Sequence, residues 1–139
     1  MKKRILFSLM AMFMLSLTFV SCGDDDDDDA VDYKTAIVGK WKWTRDVEYT
    51  DGKVERDRDV SARNEFIEYK SDGTYVWTDG DGDTDKGTWS VSGDKLTEVD
   101  SDGDSDVYTI SISGNTLTMT SEDTEDGHTY KDVATYTKQ

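Results

Sequence analysis

The stretch DGDGDTDKG (79–87) sets Asp79, Asp81, Asp83 and Asp85 at alternate positions, and DSDGDSD (100–106) repeats the spacing with Asp100, Asp102 and Asp104. Clustered carboxylate oxygens are the chemistry of a hard divalent cation such as Ca2+. Neither stretch satisfies the helix-flanked calcium loop. Counted from Asp79, the sixth position is Thr84 instead of glycine and the twelfth is Ser90 instead of glutamate. Counted from Asp100, those positions hold Ser105 and Ser111. The candidate Ca2+ ligands Asp79, Asp81, Asp83, Asp100, Asp102 and Asp104 therefore depend on the fold bringing two loops together. No other cofactor is implied.

Other reactive groups are sparse. The single histidine, His128, sits in the turn-forming triplet DGH, and no serine stands in a G-x-S-x-G elbow. Zinc needs several His or Cys ligands, which the chain lacks. A non-enzyme is expected. With 31 acidic against 16 basic residues and a net charge of −15, nucleic acid is an unsuitable partner, because phosphates require basic patches.

The lone cysteine carries its own chemistry. Lys2, Lys3 and Arg4 precede an apolar run from Ile5 to Val20, too short to span a bilayer, and Ser21 follows it. That is the pattern of a secretory leader over 1–21. Cys22 cannot form an intramolecular disulfide. The stretch FVSC resembles a bacterial lipoprotein lipobox, with Phe19 where leucine is usual. The resemblance implies that Cys22 is acylated and becomes the mature N-terminus, with enough acyl chains, palmitate among them, for stable anchoring. The unbroken aspartates 24–29 read as a self-repelling tether over 22–36. They also resemble the surface-export signal of Bacteroidetes-type lipoproteins. An outer-membrane, lipid-anchored location on the cell surface is expected, with the periplasmic face as the alternative.

The elements that must position these groups are strands. From Gly39 onward the alternation has period 2, as in VYTISIS (107–113), GTWSVS (87–92) and NTLTMTS (115–121), and it is rich in Thr, Tyr, Val and Trp. In WKWTRDVEY, strict alternation places Trp41, Trp43, Val47 and Tyr49 on one face and Lys42, Thr44, Asp46 and Glu48 on the other. Gly, Asn and Asp punctuate the runs where hairpins need positive φ. Eight strands are predicted, over 40–49, 64–70, 74–78, 87–92, 95–99, 106–113, 116–121 and 129–138. The fold class is all-β: an eight-stranded up-and-down antiparallel meander whose closure into a small barrel removes both edges.

Strand parity then groups the connections. Tight turns fall at one end. The longer loops 50–63, 79–86, 100–105 and 122–128 fall at the other, bringing Glu122, Asp123, Glu125 and Asp126 to the same rim as the aspartate repeats. Arg56, Arg58 and Arg63 could offset some of that charge. Were 53–60 an extra strand, the N-terminus would move to the rim end.

Gly39-Lys40-Trp41 opening the first strand, followed by VGKWKWT, SDGTYVWTD and KGTWSVSGDKLT in order, resembles the lipocalin-like lipoproteins of Bacteroidetes-type bacteria. The resemblance covers about 37–138 and implies a calycin-like small β-barrel over 37–139, with Gly39 and Trp41 as a structural motif packing across the closed base. The second motif around TDY is absent, and Lys131 and Lys138 stand in for an arginine over Trp41. Eight strands suffice for either a filled interior or one small ligand. Trp43, Tyr75, Trp77, Trp89, Tyr108 and Tyr130 are the candidate interior ligand contacts, competing for space with Tyr69 and Tyr136. The expected function is a monomeric, non-catalytic binding module of unassigned ligand, with a small apolar molecule as the candidate. The alternative is an interaction or structural lipoprotein whose acidic rim, with Ca2+ as its candidate cation, meets a basic protein.

Overall fold

The computed structural model describes residues 31–139. The leader, Cys22 and the aspartates 24–29 lie outside the described residues. A one-turn helix α1 (Tyr33–Ala36) precedes nine strands: β1 (Gly39–Thr50), β2 (Lys53–Asp59), β3 (Phe66–Tyr69), β4 (Thr74–Thr78), β5 (Thr84–Ser92), β6 (Lys95–Asp100), β7 (Ser105–Ser113), β8 (Thr116–Glu125) and β9 (His128–Lys138). All neighbours pair antiparallel in sequence order from β3 to β9, and β9 pairs back onto β1 to close the barrel.

The ninth strand is β2, in a segment expected to be a loop. Its sequence KVERDRD has no apolar alternation, so it reads as a loop, yet it is held by charge. Arg45 forms a bidentate pair with Asp57, and Arg58 pairs with both Asp46 and Glu48. Both β2 and β3 run antiparallel to β1 on the same side of it. β2 covers Arg45–Thr50 of β1 and β3 covers Gly39–Lys42. Together they act as one wall position interrupted by a 3-10 turn (Ser61–Arg63), so the closed barrel keeps eight positions. The N-terminus therefore stays at the tight-turn end and does not move to the rim.

A second difference lies within β1. The register against β9 shifts between Trp43 and Arg45, leaving Thr44 as the extra residue of a bulge. One extra residue exchanges the two faces of a strand. Beyond the bulge Asp46, Glu48 and Thr50 are cross-strand from the inward Ala134, Asp132 and Tyr130, while Val47, still buried, and Tyr49 fall on the opposite face. The interior-facing partners beyond the bulge are thus acidic where strict alternation predicts valine and tyrosine.

The closed end is apolar. Ile37, Trp41, Leu96 and Leu117 have no exposed surface, and Tyr69 is 1% exposed. Each such side chain contributes about 1.5–3 kcal/mol on burial. Trp41 Nε1 donates to Ile37 O at 2.7 Å, which fixes the stretch leaving α1 under the barrel. Lys138 Nζ lies 5.1 Å from the Trp41 ring, in the place of the expected arginine. Gly39, at φ +134°, leaves room for it: a β-carbon there would stand 3.1 Å from Lys138 Cε.

Candidate functional site

At the open end the strands are longer than the sequence suggests, and the loops correspondingly shorter. β4–β5, β6–β7 and β8–β9 are joined over 79–83, 101–104 and 126–127. The first two connections share one construction. Asp79 Oδ1 accepts the N–H groups of Asp81 (3.0 Å) and Asp83 (2.9 Å). Asp100 Oδ1 likewise accepts those of Asp102 (2.8 Å) and Asp104 (3.0 Å). Gly82 at φ +87° and Gly103 at φ +89° complete the loops. The alternating aspartates thus serve as turn chemistry, a side chain bonding the backbone two residues on. Gly80 is required where the second loop has Ser101, because its β-carbon would lie 2.3 Å from Arg63 O. Among the described residues no group of three His, Cys, Asp or Glu side chains is placed to hold a metal ion. His128 Nδ1 lies 2.8 Å from Asp51 Oδ2, tying the β1–β2 turn to the start of β9.

Between the apolar base and this rim lies a cavity of about 770 Å³, within the usual size range of ligand pockets, about 300–1,000 Å³. Its apolar lining comes from Ile67, Trp77, Tyr108, Met119, Ala134 and Tyr136, and Tyr130 stands at its mouth. Of the six aromatic side chains expected inside, Trp77, Tyr108 and Tyr130 line the cavity. The other three do not. Tyr75 and Trp89 belong to the buried core, where Trp89 Nε1 donates to Lys70 O at 3.0 Å. Trp43 packs edge-on to Trp77 at 6.1 Å with Arg63 above its ring.

The polar lining has no counterpart in the expected site. Glu98, Asp106 and Asp132 all face the cavity. Glu98 sits deepest and accepts a hydrogen bond from Tyr69 Oη. Desolvation pushes it up to about 7, with Asp106 adding like-charge repulsion and the Tyr69 bond opposing the shift. Burial also raises Asp106, helped by Asp100 and Asp104. Asp132 is raised by burial and by Glu48 and Asp46, against the influence of Arg58. The phenol of Tyr75 is pushed to about 12 by burial and then by Glu98. A signal for these acids does exist in the sequence. Leu96 and Glu98, Asp106 and Tyr108, and Tyr130, Asp132 and Ala134 are spaced two apart, so each acid shares its face with an inward apolar neighbour.

A model of the lipocalin-like domain matches residues 37–119, more than half of the chain. The chain belongs to the lipocalin-like domain family. The matched span of this lipocalin-like domain ends within β8, and β9, which closes the barrel, lies beyond it. Among solved structures, an uncharacterized protein from Bacteroides eggerthii is similar at 14% identity with a TM-score of 0.49, over 74% of this chain and 99% of that one. No curated protein matches. Lipocalin-like folds are in general binding folds and not catalytic ones.

Proposed function

We propose that this chain is a membrane-anchored, non-catalytic lipoprotein that holds a small molecule in its barrel. The observation that carries the reading is the cavity of about 770 Å³, walled by Trp77, Tyr108, Met119 and Tyr136 above a solid apolar base. The closed end supports its anchoring. The chain enters the barrel beside Gly39 and Tyr69, at the end opposite the cavity mouth. A lipid on Cys22, joined to the barrel at its closed end, would leave that mouth facing away from the membrane. An outer-membrane anchor with display on the cell surface fits the acidic residues directly after Cys22.

Native mass spectrometry of the protein purified from its source tests the binding. A small molecule should accompany the chain, and Ala134→Phe, which adds bulk inside the cavity, should lose it. Apo mass alone from the wild-type chain, or equal occupancy of the variant, would refute the reading. Labelling of the exported chain with a palmitate analogue, lost in Cys22→Ser, tests the anchor separately.

A further inference from the structure

The charge of the lining restricts the ligand further. The cavity wall carries seven carboxylates and one guanidinium, Arg56. That guanidinium is engaged by Glu48 at 3.4 Å, and neighbouring Arg58 is engaged by Asp46 and Glu48. Among the described residues, Glu98, Asp106 and Asp132 have no ion-pair partner. Glu98 and Asp106 are directly opposed across β6 and β7, a spacing of about 5 Å between β-carbons at which like charges destabilise a sheet. Glu98 lines the cavity, and among the described residues the one hydrogen bond to its carboxylate comes from a neutral phenol.

A barrel that merely enclosed an apolar molecule would gain nothing from such a wall. Uncompensated carboxylates in a half-buried cavity cost stability unless a proton or a bound cation neutralises them, and a cation does so at the pH where they are ionised. A metal ion is a poor fit, since hard cations take six to eight oxygens, whereas the acids here share the wall with Trp77, Tyr108 and Tyr130. Those rings offer an apolar wall and π faces that attract an ammonium group. We infer that the cavity binds an organic cation, an amine carrying an apolar or aromatic body, with its nitrogen between Glu98 and Asp106. This deepens the binding-module reading and rests on it.

Isothermal titration of the purified exported chain with 4-phenylbutylamine, 4-phenylbutanol and 4-phenylbutyrate separates the two. The three probes share one body and differ in head charge. At a pH where the cavity carboxylates are ionised, the amine should bind at least about tenfold more tightly than the alcohol, and the carboxylate weakest. Glu98→Gln and Asp106→Asn should each reduce the amine-to-alcohol preference several-fold. If Glu98→Gln fails to fold, Asp106→Asn, nearer the mouth, carries the same test. Alcohol or carboxylate binding as tightly as the amine would overturn the inference and leave the binding module standing. No binding by any probe would also overturn it, with native mass spectrometry deciding the broader reading independently.

Discussion

When ionised, Glu98 holds a charge in a place that opposes it, and its effect on stability has a definite sign. A carboxyl raised from 4.5 unfolded to about 7 folded contributes stability that is fully present below the unfolded value. That contribution is lost as pH rises through the folded one. The groups around it, Asp106, Tyr69, Tyr75, Tyr108 and Tyr136, offer it no positive charge. Glu98→Gln keeps an acceptor for Tyr69 and removes the buried charge. Its melting temperature should exceed that of the wild type above pH 7, by a stability difference of about 2–3 kcal/mol, and converge with it below about pH 4.5. A variant less stable above pH 7 would mean that the Tyr69 bond to the ionised carboxylate outweighs desolvation. Gly87 is a second decisive residue. A β-carbon there would stand 2.2 Å from Val99 O and 2.6 Å from Tyr75 Cε1, so Gly87→Ala should cost about 3 kcal/mol. For a domain of this size that lowers the melting temperature by about 10 °C or more in thermal denaturation. Gly39 and Trp41 were legible in the sequence because their motif is local. Gly87 was not, since its neighbours come from β4 and β6.

Among elements, the hairpins were readable because each is specified within a few residues by turn chemistry and alternation. The bulge at Thr44 was not, because its effect is a parity change carried by β9, ninety residues away in sequence. It exchanges Val47 and Tyr49 for Asp46, Glu48 and Thr50 on the inner face, and so contributes to the cavity's acidity. β2 was hidden for the opposite reason: its own residues are nearly all charged and its side-chain bonds to β1 are ion pairs, so it carries no apolar alternation. The rim loops separate turn chemistry from metal chemistry experimentally. Asp79→Ala removes the acceptor of two backbone N–H groups and should cost about 1–2 kcal/mol. Asp81→Ala should change stability by less than about 0.5 kcal/mol, since that residue contributes its backbone N–H to the loop. Urea denaturation of the two variants, with and without calcium, checks this. Equal losses that appear only with calcium present would identify a metal site instead.

The whole molecule is polarised along the barrel axis. Lys34, Lys40, Lys70, Lys95 and Lys138 lie at or beside the closed end, by their places in α1 and at the base ends of the strands. The cavity and the two aspartate loops occupy the other end. A barrel with this much negative charge around one opening repels itself. It also focuses a negative field where an organic cation would enter. Salt should act on both effects. Raising ionic strength from about 0.01 M to 0.15 M shortens the screening length from about 30 Å to about 8 Å. That distance becomes less than the span of the rim but remains longer than an ion pair. Long-range repulsion among carboxylates is therefore screened more than contacts such as Arg45 with Asp57. The melting temperature at neutral pH should rise with added potassium chloride and level off near physiological ionic strength. The rise should shrink at acid pH, where the carboxylates are protonated. A fall with salt would show that the β1–β2 ion pairs dominate the balance, and that the acidic mouth is compensated within the barrel.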